Sequence, residues 1–149
     1  MMRTSLTKSF VFMVAALAVV AATRGDAQRI KQALPAAVSS LENAKVIEIK
    51  DATGQVILSG SFSMSAETKS EIELTALLAG SAADRNAAGK AEIEIVKKNN
   101  TTTKQELEVT LQNLGAGASF KLFVDGTEFT TFTANKAGKA DLKFSTKHS

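Results

Sequence analysis

The chain contains no cysteine, tryptophan or tyrosine, and only one histidine and one proline, in 149 residues. The lack of cysteine excludes disulfides, thiol catalysis and thiolate-ligated metals, so stability has to come from packing and sheet hydrogen bonds. The single histidine, His148, stands next to the C-terminal residue, where order is least expected, and we do not predict a Ser-His-Asp triad. Because all the aromatic residues are phenylalanines, they are expected mainly in the core.

A strong excess of charge of one sign is also missing. The formal net charge is +3, and Arg3, Lys8 and Arg24 of the N-terminal segment contribute to it, so the remaining chain is nearly neutral. Acidic and basic residues alternate along that part instead of clustering with aromatic residues between them. We therefore predict a solvated surface of mixed charge and no nucleic-acid binding.

The N-terminal segment has the order of features of a secretory signal peptide. After a basic leader, residues 10–23 form an uncharged apolar run, which is short for a membrane span of about 20 residues. Gly25 and Ala27 supply the small-x-small pattern that a signal peptidase accepts. We predict that residues 1–27 are a signal peptide, that the mature protein is secreted or periplasmic, and that no stable membrane span remains after cleavage. The alternative is an uncleaved N-terminal anchor.

An Ala-rich segment, residues 28–43, follows the leader. Its larger apolar residues recur at helical spacing, and Pro35 is tolerated in the first turn of a helix. We predict an N-terminal helical arm over residues 28–43, with a short helix at 35–41. The residues at that spacing are Ile30, Leu34, Val38 and Leu41.

From residue 44 to residue 149 the apolar period changes from about four to two, which indicates half-buried strands. Turn signals separate about eight such segments, so we predict an all-β domain, an antiparallel β-sandwich over residues 44–149. The best alternating runs centre on Ile47, Leu74, Ile93, Val109, Leu122 and Leu142.

Four residues are predicted to form structural turns. Asp125-Gly126 fits a two-residue hairpin, whose type I′ turn needs positive φ at both positions. Gly89 and Gly138 occupy equivalent places in an internal echo, in which Ala-Gly-Lys-Ala begins a strand each time.

Residues 106–144 combine these features in one order: a charged alternating strand, Leu114-Gly115-Ala116-Gly117, the Val124-Asp125-Gly126 hairpin, and the turn from Asn135 to Gly138. This order resembles the repeat unit of secreted bacterial β-sandwich proteins related to chordin-type (CHRD) domains. The resemblance implies an extracellular binding or structural module without known chemistry. Such repeats often carry histidines in the later strands, whereas this chain has only His148.

Pairs of glutamates spaced i,i+2 are the nearest approach to a catalytic pattern. That spacing places both acids of a pair on the strand face opposite the core, so we interpret them as a solvated face. No calcium-loop, phosphate-loop or dinucleotide motif occurs, and we predict no catalytic residue, metal ligand or cofactor. The pairs are Glu71 and Glu73, Glu92 and Glu94, and Glu106 and Glu108.

Two further features concern the surface. Strict alternation places Phe120, Leu122 and Val124 on one face of the strand and Phe123 on the other, so Phe123 marks either a second buried face or an exposed contact patch. Asn99 and Asn100 begin overlapping Asn-x-Thr sequences, which are glycosylation acceptors in a eukaryotic secretory route and a polar loop in a bacterial one.

These features predict an exported, non-enzymatic β-sandwich module with a structural, adhesion or protein-interaction role at the cell envelope or outside the cell. Its partner would be a protein or envelope component of unknown identity, and self-association through sheet edges is possible because the only proline, Pro35, precedes the sheet. The alternative is a small-molecule or metal carrier that uses a sandwich or barrel cavity. A third hypothesis, an enzyme built from carboxylates alone, requires acids from different strands to converge in a cleft.

Overall fold

The protein is all-β over the residues that the structure, a computed structural model, describes, 27–146. These residues contain ten strands and no helix. The predicted signal peptide, apart from Ala27, and His148 lie outside the described residues. The strands are β1 (Arg29–Ala33), β2 (Val46–Asp51), β3 (Val56–Ser61), β4 (Ser63–Glu67), β5 (Glu71–Gly80), β6 (Ala88–Lys98), β7 (Thr101–Gln112), β8 (Ser119–Val124), β9 (Thr127–Thr133) and β10 (Ala140–Ser145).

All ten strands belong to one hydrogen-bonded sheet. The order is β1-β10-β7-β6-β5-β3-β2-β8-β9, and β4 pairs with the first half of β5. Every pairing is antiparallel except that of β1 with β10, which is parallel. The sheet is therefore mixed, and β1 and β9 are its end strands.

The period-two pattern determines which face of the sheet is buried. Side chains of β5, β6 and β7 alternate between buried apolar residues and exposed or half-buried polar ones along most of their length. Because one face of each strand is apolar, shifting a strand by one residue would expose its whole core set. The largest fully buried side chains are those of Phe144, Leu41, Ile47, Ile49, Leu58, Ile93, Ile95, Leu107, Leu111, Leu122, Leu142 and Val109.

The sheet curls into a half-barrel, so that the inner faces of strands from opposite ends of the strand order pack against each other. Phe129 of β9 and Phe144 of β10 belong to opposite ends of the strand order, yet their rings meet edge to face with centroids 5.3 Å apart. The two halves are joined where β3 pairs with β5, over only two residue pairs, Leu58 with Gly80 and Ser59 with Ala79. A sandwich of two separate sheets is therefore not confirmed, because this short ladder makes the halves continuous.

The predicted helix at 35–41 is not formed. Residues 29–33 instead form β1, whose backbone pairs with β10, and the following segment makes separate turns at Pro35 and Leu41. A segment of this length gains too few helical hydrogen bonds to offset nucleation. Strand pairing and the burial of Leu41 in the core supply the stabilisation instead.

Candidate functional site

The outer face of β5, β6, β7 and β10 carries the densest set of charged side chains in the described part of the chain. Strand register brings the three predicted glutamate pairs together across strands. Glu73 lies opposite Glu94, which lies opposite Glu106, so three carboxylates form one row. In the next row Glu92 lies opposite Glu108. We call this surface the acidic face.

Like charges directly opposite one another destabilise a sheet, and lysines from neighbouring positions offset the repulsion here. Lys104 Nζ lies 2.8 Å from Glu94 Oε1 and 3.5 Å from Glu106 Oε2. Lys143 Nζ lies 3.4 Å from Glu106 and 3.5 Å from Glu108. Each lysine thus bridges two acids, and the face is a lattice of ion pairs.

The edge strand β1 extends this lattice. The Arg29 guanidinium lies 3.3 Å from Glu108 Oε1 through Nη2 and 3.2 Å from Asp141 Oδ1 through Nε. Arg29 therefore ties β1 both to β10, its neighbour, and to β7 beyond it.

Glu71 and Glu94 form a carboxyl pair at the end of the acidic face. The hydrogen bond to Glu94, with burial and the charge of Glu94, raises the pKa of Glu71 above its usual range. Hydrogen bonds from Lys104 and from Glu71 lower the pKa of Glu94. The hydrogen bond that Lys104 donates to Glu94 also raises the pKa of Lys104. Of the two carboxyl groups, Glu71 is therefore the one that takes up a proton first as the pH falls.

These groups are the ones that could hold a cation. Carboxylate oxygens of Glu71, Glu73 and Glu94 all lie within 4.8 Å of one another. Hard cations such as Ca²⁺ take several carboxylate oxygens, so the donor type fits, although the ammonium of Lys104 already neutralises Glu94.

A shallow cavity of about 210 Å³ lies on the same face. Acids from three strands converge on it, which is the arrangement that a carboxylate-based site requires. Carboxylate oxygens are ligands that hard cations take, so this lining is chemically suited to weak cation binding. Its lining is Glu73, Leu74, Thr75, Glu92, Ile93, Glu94, Glu106 and Glu108.

A second, wider depression of about 620 Å³ lies where the loops before β6, after β7 and before β10 meet. Asn113 adopts a φ of 61° there, and its side-chain amide donates a hydrogen bond of 3.1 Å to the carbonyl oxygen of Asn86. The depression is open to solvent and lined by Asp84, Asn86, Asn113, Leu114, Gly115 and Ala137.

Phe123, the predicted contact residue, is half-buried on the outer face of β8. Lys50 Nζ lies 4.4 Å from the centroid of its ring, a cation–π contact, and Glu48 and Glu128 are its cross-strand partners. The ring is thus covered by a lysine rather than left as an open apolar patch.

Asp125 and Gly126 form the turn between β8 and β9, with φ values of 49° and 82°. The Asp125 carboxylate accepts hydrogen bonds from the backbone N–H groups of Lys45 and Val46, at 3.1 and 2.9 Å for Oδ1. This turn therefore fixes the start of β2 as well as joining two strands.

Gly138 lies in the turn before β10, with a φ of 75°. Gly89 lies inside β6, opposite Leu78 and Leu111, and not in a turn as predicted. A Cβ at Gly89 would stand 2.6 Å from Leu111 Cδ2 and 2.9 Å from the Thr110 carbonyl oxygen, so glycine is required there for close strand packing.

Gln105 is a buried polar residue that sequence reasoning missed. Its side-chain Oε1 accepts a hydrogen bond of 2.6 Å from the Leu41 N–H, and its Nε2 donates one of 3.2 Å to the Ser39 carbonyl oxygen. Nearby, Lys97 Nζ forms an ion pair with Glu42. The signal in the sequence was a glutamine at an inward position of an otherwise apolar period-two pattern.

In residues 27–146 no helix is available that is long and apolar enough to cross a membrane. Comparisons with protein families, with curated proteins and with solved structures found no match for this chain. The fold and the site define it, at this level, as an all-β protein with a self-covered core and an ion-paired acidic outer face.

Proposed function

We propose that the protein is an exported, non-enzymatic β module with a structural, adhesion or protein-interaction role at the cell envelope or outside the cell. The observation that supports this most is the distribution of polar groups. The inner face of the sheet is apolar, and the charged side chains of the central strands project outward from it. The outer surface is therefore where the described chain offers groups for recognition.

The N-terminal sequence supports the location. Its basic leader, apolar run and small-x-small sequence are typical of a signal peptide, and the resemblance of residues 106–144 to chordin-type domains favours an extracellular setting. Fractionation of cells followed by N-terminal sequencing tests export directly. We expect the protein outside the cytoplasm with Gln28 as its first residue, and a cytoplasmic protein that retains Met1 would contradict the proposal.

The surface role is tested by binding of the purified protein to an envelope fraction immobilised on a sensor. We expect saturable binding that falls when Glu73 or Glu92 of the acidic face is replaced by lysine. The matched control is Glu67→Lys, which makes the same charge change on the fully exposed strand β4. No binding to any envelope fraction, or an equal loss for all three variants, would count against this function.

The alternative, a metal or small-molecule carrier, has the cluster of Glu71, Glu73 and Glu94 in its favour. The adjoining cavity, at about 210 Å³, is smaller than the 300 Å³ or more that is usual for ligand pockets. Calorimetric titration with Ca²⁺ alone discriminates. A metal carrier requires binding that Glu73→Gln weakens, and the absence of a heat of binding at millimolar Ca²⁺ removes the metal form of this alternative.

A further inference from the structure

The two end strands of the sheet, β1 and β9, have free hydrogen-bonding edges in the described chain. Each step along the strand order from β10 to β9 is antiparallel, and the number of steps is odd, so β9 runs opposite to β10. Because β1 is parallel to β10, β1 and β9 also run in opposite directions. The two edges therefore have the polarity of an antiparallel pair.

Curling places both edges on the same side of the molecule. Phe129 of β9 packs on Phe144 of β10, the strand next to β1, and Ile30 of β1 packs partly against the same core. The edge of β1 thus borders one layer of the half-barrel, and the edge of β9 borders the facing layer.

The charges on these edges are opposite in sign. β1 carries Arg29 and Lys31 toward the outer face, whereas the only charged residue of β9 is Glu128. Within residues 27–146 no carboxylate lies within ion-pair distance of Lys31, whose neighbour in register is Lys143. Glu128 has only a long contact, 3.7 Å, with Lys121.

We propose that two copies of this chain form a symmetric dimer in which β1 of each copy pairs antiparallel with β9 of the other. A two-fold axis parallel to the strands places the β1 layer of one copy beside the β9 layer of the other and leaves strand direction unchanged. The same axis therefore pairs β1 of each copy with β9 of the other. Such an interface is isologous, and it leaves neither β1 nor β9 open. The inference does not rest on the function proposed above.

The buried face sets the register of this pairing. Ile30 of β1 and Phe132 of β9 both face the core, and placing them opposite each other continues the core across the interface. Lys31 then lies opposite Thr131. The bulge at Phe129 brings Glu128 to the next outward position, diagonal to Lys31 and within reach of its side chain.

Little in these edges prevents such pairing. Neither strand contains proline, and β9 consists of threonine, phenylalanine and one glutamate, residues of which most favour strands. Two five-residue ladders supply on the order of ten hydrogen bonds, the number usual for a specific interface. The remaining open strand, β4, is exposed along its whole length and has no oppositely charged counterpart of this kind.

The first test uses the absence of cysteine. The double variant Lys31→Cys/Thr131→Cys places one thiol on each edge, and opposed strand positions have the Cα separation that a disulfide requires. Under mild oxidation we expect a covalent dimer on a non-reducing gel, which reduction converts to monomer. An intramolecular disulfide or unreacted thiols at concentrations up to about 1 mM would overturn the pairing.

The second test is charge exchange, measured by sedimentation equilibrium. Lys31→Glu and Glu128→Lys are each expected to raise the dimer dissociation constant about tenfold, because each places like charges at two symmetric contacts. The double exchange is expected to restore it to within about threefold, whereas Glu67→Lys on β4 leaves it unchanged. Circular dichroism verifies that all variants fold. A monomer at every concentration, or a dimer indifferent to both single exchanges, would refute the proposal.

Discussion

Replacing Gln105 by leucine removes the clamp that holds residues 39–41 over the end of the core. Gln105 is only 6% exposed, and its amide makes two hydrogen bonds to this loop, one with the Leu41 N–H and one with the Ser39 carbonyl oxygen. Leucine has a similar volume, so the change removes hydrogen bonds without creating a large cavity. The Leu41 side chain, 1% exposed, depends on that loop for its position.

The expected cost is the sum of two effects. An ordinary hydrogen bond contributes about 1 kcal/mol net, and a buried N–H left without a partner costs about 1–3 kcal/mol. Gln105→Leu should therefore lower the free energy of unfolding by about 2–4 kcal/mol. With an m-value of about 2 kcal/mol/M for a domain of this size, the urea midpoint falls by about 1–2 M.

Urea unfolding followed by circular dichroism measures this shift, and hydrogen exchange at Leu41 shows whether the loop has opened. Gln112→Leu is the matched control, since Gln112 is exposed at the end of the same strand and its replacement should change stability by less than about 0.5 kcal/mol. Leu41→Ala alone should cost about 2–4 kcal/mol, and the double variant less than the sum, because both act on one loop. Equal stability of Gln105→Leu and the wild type, or strict additivity with Leu41→Ala, would refute the clamp.

Three further predictions concern single residues. Glu71→Gln keeps a hydrogen-bond donor for Glu94. Because the pKa of Glu71 is raised, its contribution to stability is complete at low pH and is lost as the pH rises through that pKa, so the variant should match the wild-type melting temperature below pH 4 and exceed it at pH 7. Equal melting curves from pH 3 to 8 would contradict this. Asp125→Ala removes the hydrogen-bond acceptor of the Val46 N–H and should lower the free energy of unfolding, measured in urea, by about 1–2 kcal/mol, and Asp125→Asn should lower it by less. Equal effects of the two variants would argue against the carboxylate contacts. Gly138→Ala should cost about 2–3 kcal/mol, since its φ is positive and a Cβ would collide with the Leu114 carbonyl oxygen; a wild-type urea midpoint would contradict it.

The period-two pattern was sufficient to predict the all-β class, which the structure confirms. Alternation identifies an inward face because successive side chains point to opposite sides of a strand, and the buried residues of β5, β6 and β7 follow that rule. The same local rule failed for residues 28–43. There the spacing of Ile30 and Leu34 matched a helix, but pairing with β10, more than a hundred residues away in sequence, made 29–33 a strand. Local periodicity cannot report such a non-local partner.

The closure of the sheet was beyond sequence reasoning for a related reason. The pattern gives the strands and their inner faces, but not which strands are neighbours. The number of strands suggested a sandwich of two sheets, but a ladder of two residue pairs between β3 and β5 joins all the strands into one sheet. The contact between Phe129 and Phe144 depends on that connection and on the curl it permits.

The outer face shows most clearly what strand register adds to composition. The i,i+2 spacing correctly places Glu94 and Glu106 away from the core, and on that information alone each is a solvated acid. Register sets them opposite each other, with Lys104 bridging both. A one-residue slip between β6 and β7 would break this bridge and would also turn the core side chains of the shifted strand toward solvent. Apolar burial and ion pairing therefore favour the same register. The acidic face is thus positioned by the core beneath it, and its charged side chains lie on paired strands rather than on a loop.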